Sequence, residues 1–104
     1  MKRTEQPKQV PCFSMSVVAR LLHIHPQTIR HYERLGLLAP FRTAGNVRLF
    51  SEGDIRRLRQ INELTEMGVN LAGVEIIVRL VQRIEQMQRD ASVLRQEVDH
   101  HFRS

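Results

Sequence analysis

The sequence has few aromatic residues and almost no cysteine. It contains no Trp, one Tyr and four Phe, so it is poor in the rings that form stacking platforms for single-stranded nucleic acid. Cys12 is the single cysteine of the sequence, which excludes an intramolecular disulfide and a zinc site built from several thiolates. A lone thiol fits a reducing compartment.

The sequence also lacks long apolar segments and the motifs of common catalytic sites. No apolar run approaches the roughly 20 residues of a membrane-spanning helix, and residues 1–9 lack the apolar core of an export signal. We expect a cytoplasmic protein with no membrane partner. Without a Gly-rich phosphate loop or a nucleophile beside a base, we expect neither an enzyme nor a cofactor. His23, His25 and His31 have no obvious carboxylate partner, so we expect no metal site.

Charge is unevenly distributed along the 104 residues. Residues 1–60 hold eleven Lys or Arg against four Asp or Glu, whereas residues 61–104 hold five against seven. A basic first half is typical of a module that binds a polyanion, although a merely soluble basic protein has the same balance. We predict a flexible basic tail over residues 1–12.

A short helix with a basic face is predicted for the segment IHPQTIRHYERLGLL. Pro26 suits the first helical position, and Gly36 suits the left-handed position just past the end. Ile29, Tyr32 and Leu35 recur at three-residue spacing and predict a buried stripe. A solvated helix and a helix that reads a DNA major groove would both leave the same polar side chains outward. These outward residues are Gln27, Thr28, Arg30, His31 and Arg34.

The residues before this helix complete a helix-turn-helix pattern. Ser14 or Ser16 is the expected cap of a two-turn helix that ends near Leu22. The turn between the helices is His23-Ile24-His25. The apolar stripe of the first helix comprises Val17, Val18, Leu21 and Leu22.

The segment FRTAGNVRLF predicts a small β-hairpin. Gly45-Asn46 can supply the positive φ angles of a tight turn, so that Phe41–Thr43 pairs with Val47–Phe50. Arg42 and Arg48 would then point outward. A hairpin with a basic rim after a helix-turn-helix is typical of a wing, which contacts the DNA backbone or minor groove. The alternative is a structural hairpin whose arginines are solvated.

A further helix is predicted over residues 51–67, begun by Ser51 and Asp54 in a capping-box spacing. Its inward residues are Ile55, Leu58, Ile61 or Asn62, and Leu64. Its first turns carry Arg56, Arg57 and Arg59. Arginines near a helix N-terminus oppose the helix dipole, which an external anion would relieve, although a solvated basic face is the alternative.

The C-terminal part predicts one long helix to about residue 102. Gly68 ends the preceding helix, and Asn70 is the expected cap. Apolar residues then alternate spacings of three and four, which indicates a heptad seam that pairs with another helix, most simply in a second copy of the chain. A helix that folds back on its own domain is the alternative. The seam comprises Ile77, Leu80, Ile84, Met87, Ala91, Leu94, Val98 and His101, of which all but His101 are predicted dimer-interface residues.

The order of these motifs resembles the MerR superfamily of transcriptional regulators over about residues 13–80. The string HPQTIRHYERLGLLAPFRTAG, followed by GVNLAGV, is more similar still to the heat-shock repressors of that superfamily (HspR). The resemblance implies a mainly α fold: a winged helix-turn-helix domain with a small β-hairpin wing (residues 13–80) and a long C-terminal coiled-coil dimerisation helix (81–104). It also implies that a homodimer, paired through an antiparallel coiled coil, binds a palindromic promoter and represses chaperone genes, with DnaK as a co-repressor.

The motifs and the resemblance together predict a set of DNA-contacting residues. These are Ser16, Gln27, Thr28, Arg30, His31, Tyr32, Arg42, Asn46, Arg48, Arg56 and Arg57. The chain departs from the superfamily at His23, where Gly is common, and at Leu49, where a second wing Arg is common. Over these 104 residues we expect neither the paired cysteines of metal-sensing members nor the extra domain of drug-sensing members. The alternative function is a protein-interaction adapter whose coiled coil binds a chaperone or a sigma factor.

Overall fold

The computed structural model describes residues 10–103, so most of the predicted tail lies outside the described residues. Four helices and one two-stranded sheet form over this range. The elements are α1 (Met15–Leu22), α2 (Pro26–Arg34), β1 (Phe41–Arg42), β2 (Arg48–Leu49), α3 (Glu52–Glu66) and α4 (Leu71–Arg103). The chain divides into two compact units, one ending at Val69 and the other beginning at Asn70. The predicted order of elements is confirmed.

Helices α1 and α2 pack against each other as the predicted helix-turn-helix. In the predicted stripe of α1, Val18 is buried, but Val17 and Leu21 are exposed, so their inward assignment is wrong. Ser14 is the cap of α1, since its side chain accepts a hydrogen bond from the Val17 N–H at 3.3 Å. His23 closes the helix in the left-handed conformation, with φ 56°, a geometry that His accepts less readily than Gly. The turn therefore forms without a glycine at this position.

The hairpin is shorter than the sequence pattern indicates. Its register pairs Phe41 with Leu49 and Arg42 with Arg48 in an antiparallel arrangement. In the turn, Asn46 has a positive φ of 65° and Gly45 does not, so the prediction that both residues supply positive φ is wrong for Gly45. Phe50 then bridges to Phe13 through paired backbone hydrogen bonds, which ties the start of the domain to the end of the hairpin.

Helix α3 begins with the predicted capping box. The Asp54 N–H donates to Ser51 Oγ at 3.0 Å, and the Ser51 N–H donates to Asp54 Oδ2 at 2.9 Å. Ser51 is itself buried, so both bonds satisfy groups that water does not reach readily. The predicted inward residues Ile55, Leu58 and Ile61 are buried, whereas Leu64 is half-buried. The three buried residues join other buried side chains in the core of this unit. The core includes Val18, Ile29, Phe50, Ile55, Leu58 and Ile61.

Helix α4 is continuous over 33 residues. Its start is fixed as predicted: Gly68 takes φ 95°, and Asn70 Oδ1 accepts a hydrogen bond from the Gly73 N–H at 2.9 Å. Val74 and Val78 are the buried residues of this helix. Ile77 is half-buried, and the seam beyond it is exposed in the single chain. The residues of this part of the seam are Leu80, Ile84, Met87, Ala91, Leu94, Val98 and His101.

Candidate nucleic-acid interface

The N-terminus of α2 is capped by an imidazole. His25 lies in an extended conformation, and its Nδ1 accepts a hydrogen bond from the Gln27 N–H at 3.0 Å. Pro26 follows at the first helical position, where its missing N–H costs nothing. Because Nδ1 is the acceptor, a neutral His25 carries its proton on Nε2. His25 thus caps the first turn of α2, which bears the predicted base-reading residues. The sequence pattern assigned His25 only to the connection between the two helices.

The outer face of α2 carries the predicted polar side chains. Gln27 and His31 are exposed, whereas Thr28 and Arg30 are half-buried. Arg30 Nη1 donates to Gln27 Oε1 at 3.3 Å, so the amide and the guanidinium lie side by side one turn apart. Both groups have the planar geometry that bidentate contacts to base edges require.

The inner face of α2 follows the predicted stripe for two residues and then departs from it. Ile29 and Tyr32 are buried, as predicted. Leu35 is 40% exposed, so its assignment to the stripe is wrong. Leu35 is the C-terminal cap of α2 and its N–H still bonds to the His31 carbonyl, so it keeps the helical direction but lies at the end of the stripe, where it stays exposed. Gly36 takes φ 79° just beyond.

Glu33 joins α2 to the hairpin through two arginines. Its Oε1 accepts from Arg48 Nε at 2.7 Å, and its Oε2 accepts from Arg42 Nη2 at 3.0 Å. The side chains of Glu33 and Arg48 are only 20% and 23% exposed. Both carboxylate oxygens are therefore engaged, one by each strand of the hairpin. We call this arrangement the Glu33 bridge.

Arg42 also organises the hairpin turn. Arg42 Nη1 donates to the backbone oxygen of Asn46 at 3.4 Å and to its Oδ1 at 3.2 Å. Thr43 Oγ1 accepts from the Val47 N–H at 3.1 Å. Because Arg48 reaches Glu33 through Nε, its terminal amino groups keep donors for an external anion. The predicted outward Arg48 is half-buried and Arg42 is partly exposed.

The Glu33 bridge changes the acidity of its carboxyl group. Partial burial raises the pKa of Glu33, but hydrogen bonds and charge attraction from Arg48 and Arg42 outweigh it and lower that pKa below its ordinary value of 4.5. A lowered pKa contributes folding stability above pH 4.5 that is lost as the pH falls through the folded-state value. At neutral pH the carboxylate is ionised and paired.

The remaining predicted contact residues lie on α1 and α3. Ser16 lies on α1, with its hydroxyl 3.2 Å from that of Ser14. Arg56 is exposed on α3, and the half-buried Arg57 donates to Gln60 Oε1 at 2.7 Å. The first turn of α3 also carries acidic residues, which offset the arginines near the positive end of the helix dipole.

Other kinds of site are not formed by the part of the chain that the structure describes. Over residues 10–103, no three His, Cys, Asp or Glu side chains lie close enough together to hold a metal ion. None of the helices in this range combines the length and apolar character that crossing a membrane requires. Cys12 is a free thiol at the surface.

Two residues of the interface were not predicted from the sequence. Glu33 is the single acidic residue between Glu5 and Glu52, and an isolated carboxylate among basic residues was a usable signal for an ion pair. His25 directly precedes a proline suited to the first helical position, which marks it as the capping position.

Comparison with known proteins identifies the family. The model of the MerR helix-turn-helix regulatory proteins matches residues 13–81. A Streptomyces coelicolor protein with the provisional name heat shock protein HspR is 42% identical over 91% of this chain and 64% of its own length. The transcriptional regulator GlnR of Bacillus anthracis is 36% identical over 71% of this chain and 57% of its own length. The chain thus spans less than two thirds of the length of these relatives.

Solved structures share the fold. HiNmlR, described as a MerR family regulator lacking the sensor domain and bound to promoter DNA, superposes with a TM-score of 0.63 at 18% identity, covering 88% of this chain and 76% of its own. A MerR family transcriptional regulator from Bacillus cereus superposes with a TM-score of 0.60 at 25% identity, covering 82% of this chain and 69% of its own. The predicted fold class is confirmed, and the chain belongs to the MerR family of helix-turn-helix regulatory proteins.

Proposed function

We propose that this chain is a sequence-specific repressor that binds a palindromic operator as a homodimer and acts in the cytoplasm. The observation that carries the proposal is the outer face of α2, where Gln27, Arg30 and His31 stand beside a basic hairpin held to the same helix by the Glu33 bridge. A duplex is bound through simultaneous groove and phosphate contacts, which a recognition helix joined to a basic hairpin is suited to make.

In this proposal α2 is the recognition helix and enters the major groove. Arg30 is suited to the O6 and N7 acceptors of guanine, and Gln27 to the N6 and N7 groups of adenine. Thr28 can place its methyl group against that of thymine. His31 extends the contact surface by one turn. The ring of Tyr32 is buried, so in this proposal its predicted DNA contact is limited to a phosphate reached by the hydroxyl.

The hairpin acts as the wing and contributes affinity without sequence preference. Arg42, Asn46 and Arg48 would contact phosphates or the minor groove, and Ser16, Arg56 and Arg57 would add backbone contacts from α1 and α3. Each phosphate neutralised by a cation releases condensed counterions, so binding should weaken steeply as salt is raised.

Helix α4 supports the dimer part of the proposal. Its apolar seam continues at heptad spacing through residues that are exposed in the single chain, and pairing with a second copy would remove them from water. Two paired chains would carry two recognition helices about one helical turn of DNA apart or more, which matches a palindrome. We assign dimerisation to residues 81–104 and the adjoining seam, and DNA binding to residues 13–80.

The proposed gene targets rest on sequence similarity to a relative. The relative with the provisional name heat shock protein HspR is 42% identical to this chain, and this supports chaperone genes as the regulated set. A DnaK chaperone as co-repressor belongs to the same proposal.

Selection of bound sequences from a random duplex pool tests the proposal, run with and without added DnaK. An enriched motif with two-fold symmetry is the expected result, and tighter retention with DnaK would support the co-repressor. No enriched motif, together with weak duplex binding even at low salt, would contradict the repressor and favour an adapter whose coiled coil binds a chaperone or a sigma factor.

A further inference from the structure

The Glu33 bridge places a negative charge on the helix that is proposed to approach a polyanion. Glu33 is the sole acidic residue of α2, and an unpaired carboxylate there would repel phosphates. It is instead shared by two guanidinium groups that start on different strands. Taken together, the three side chains carry a net positive charge.

The bridge also links α2 to the hairpin across a long stretch of chain. Arg42 is 9 residues and Arg48 is 15 residues from Glu33 in sequence. The hairpin itself has only two residues in each strand, so little backbone pairing fixes its direction. The Phe13–Phe50 bridge ties the hairpin to the start of the domain, and the Glu33 bridge adds two ion pairs that join it directly to α2.

We propose that Glu33 is a positioning residue for DNA binding, holding Arg42 and Arg48 against α2 so that hairpin and helix meet one duplex at a fixed spacing. The inference rests on the proposed function. Glu33 keeps its partners in the complex, because release would leave a partly buried carboxylate without hydrogen bonds. The remaining donors of the two arginines face the phosphates.

The test is the sign of the effect when one negative charge is removed. Glu33→Gln keeps the size of the side chain, and Glu63→Gln is a matched control that neutralises an exposed carboxylate on α3. Net charge alone predicts that both variants bind DNA more tightly. We expect Glu33→Gln to bind the selected duplex about tenfold more weakly in fluorescence anisotropy, and Glu63→Gln to bind as tightly as the wild type or more so.

The salt dependence separates positioning from a general loss of folded protein. If the arginines are no longer correctly placed, the slope of log Kd against log salt concentration should become shallower by about 0.9 for each phosphate that they cease to neutralise. A smaller folded fraction would lower the active concentration and leave the slope unchanged. Circular dichroism gives the folded fraction of each variant.

A second variant covers the case in which Glu33→Gln does not fold. Arg42→Lys keeps the charge but has one ammonium group, which cannot reach both Glu33 and Asn46 as the guanidinium does. Like Glu33→Gln, Arg42→Lys should bind the selected duplex more weakly than the wild type. The positioning role alone would be overturned if the wild type binds specifically and both variants bind as tightly or more tightly, with an unchanged salt slope. Absence of specific binding by the wild type would instead overturn the proposed function.

Discussion

Placing a charge on the seam of α4 should dissociate the proposed dimer, whereas the same charge one residue away should not. Leu94 lies on the heptad seam and is 61% exposed in the single chain, and its neighbour Val93 lies off the seam and is 52% exposed. The two positions are therefore matched in helix, exposure and apolar character. They differ chiefly in the face of α4 that they occupy.

The size of the effect follows from the exposed fraction of Leu94. Full burial of a Leu side chain is worth about 1.5–3 kcal/mol, so burying the exposed part contributes roughly 1–2 kcal/mol in each chain. Leu94→Glu removes this twice per dimer, roughly 2–4 kcal/mol, which raises the dimer Kd about 30-fold to 700-fold. Placing a carboxylate in the seam adds to the cost.

Sedimentation equilibrium over a range of protein concentrations measures this Kd. We expect Leu94→Glu to be monomeric at concentrations at which the wild type and Val93→Glu are dimeric. Equal dissociation of both variants, or an unchanged dimer in Leu94→Glu, would refute the assignment of the interface to this face of the helix.

Three further predictions concern DNA reading and stability. Arg30→Ala should cost about 1–3 kcal/mol of binding and relax the preference at one base position, while Arg48→Ala should weaken all duplexes alike; anisotropy with single-base variants of the operator distinguishes the two. Ser51→Ala should lower the free energy of unfolding in urea by about 1 kcal/mol, since it removes the Asp54 N–H acceptor, whereas Ser92→Ala on the exposed part of α4 should change it little. Because its pKa is lowered, ionised Glu33 stabilises the fold above pH 4.5, so the melting temperature of the wild type should fall more steeply below that pH than that of Glu33→Gln. Parallel pH profiles would contradict the last prediction.

Local signals in the sequence predicted the helix ends well. Ser51 with Asp54, Asn70 before α4 and Gly36 after α2 act within a few residues of the chain, so their spacing alone indicates the hydrogen bond or φ angle that they supply. The long C-terminal helix was equally predictable, because no Pro or Gly interrupts the apolar spacing beyond Gly73. Helix caps and apolar periodicity are local properties of the sequence, and they define these helix ends and the C-terminal helix.

Contacts between distant residues were not predictable in the same way. The partners of Glu33 lie 9 and 15 residues away, and only the fold brings the hairpin back to α2. The helical spacing also misassigned Leu35, since periodicity places a residue on one face of a helix but does not show whether the fold covers that face at the helix end. The choice of Asn46 over Gly45 for the positive φ depends on the register of the hairpin.

In the proposed function, two copies of the chain read a symmetric DNA sequence. The most direct measurement compares the equilibrium affinities of one preparation for the full selected palindrome, for a single half-site and for a scrambled duplex of the same length and base composition, all at one salt concentration. We predict that the palindrome binds most tightly, the half-site more weakly and the scrambled duplex weakest. Equal affinity for the palindrome and the scrambled duplex would contradict the account.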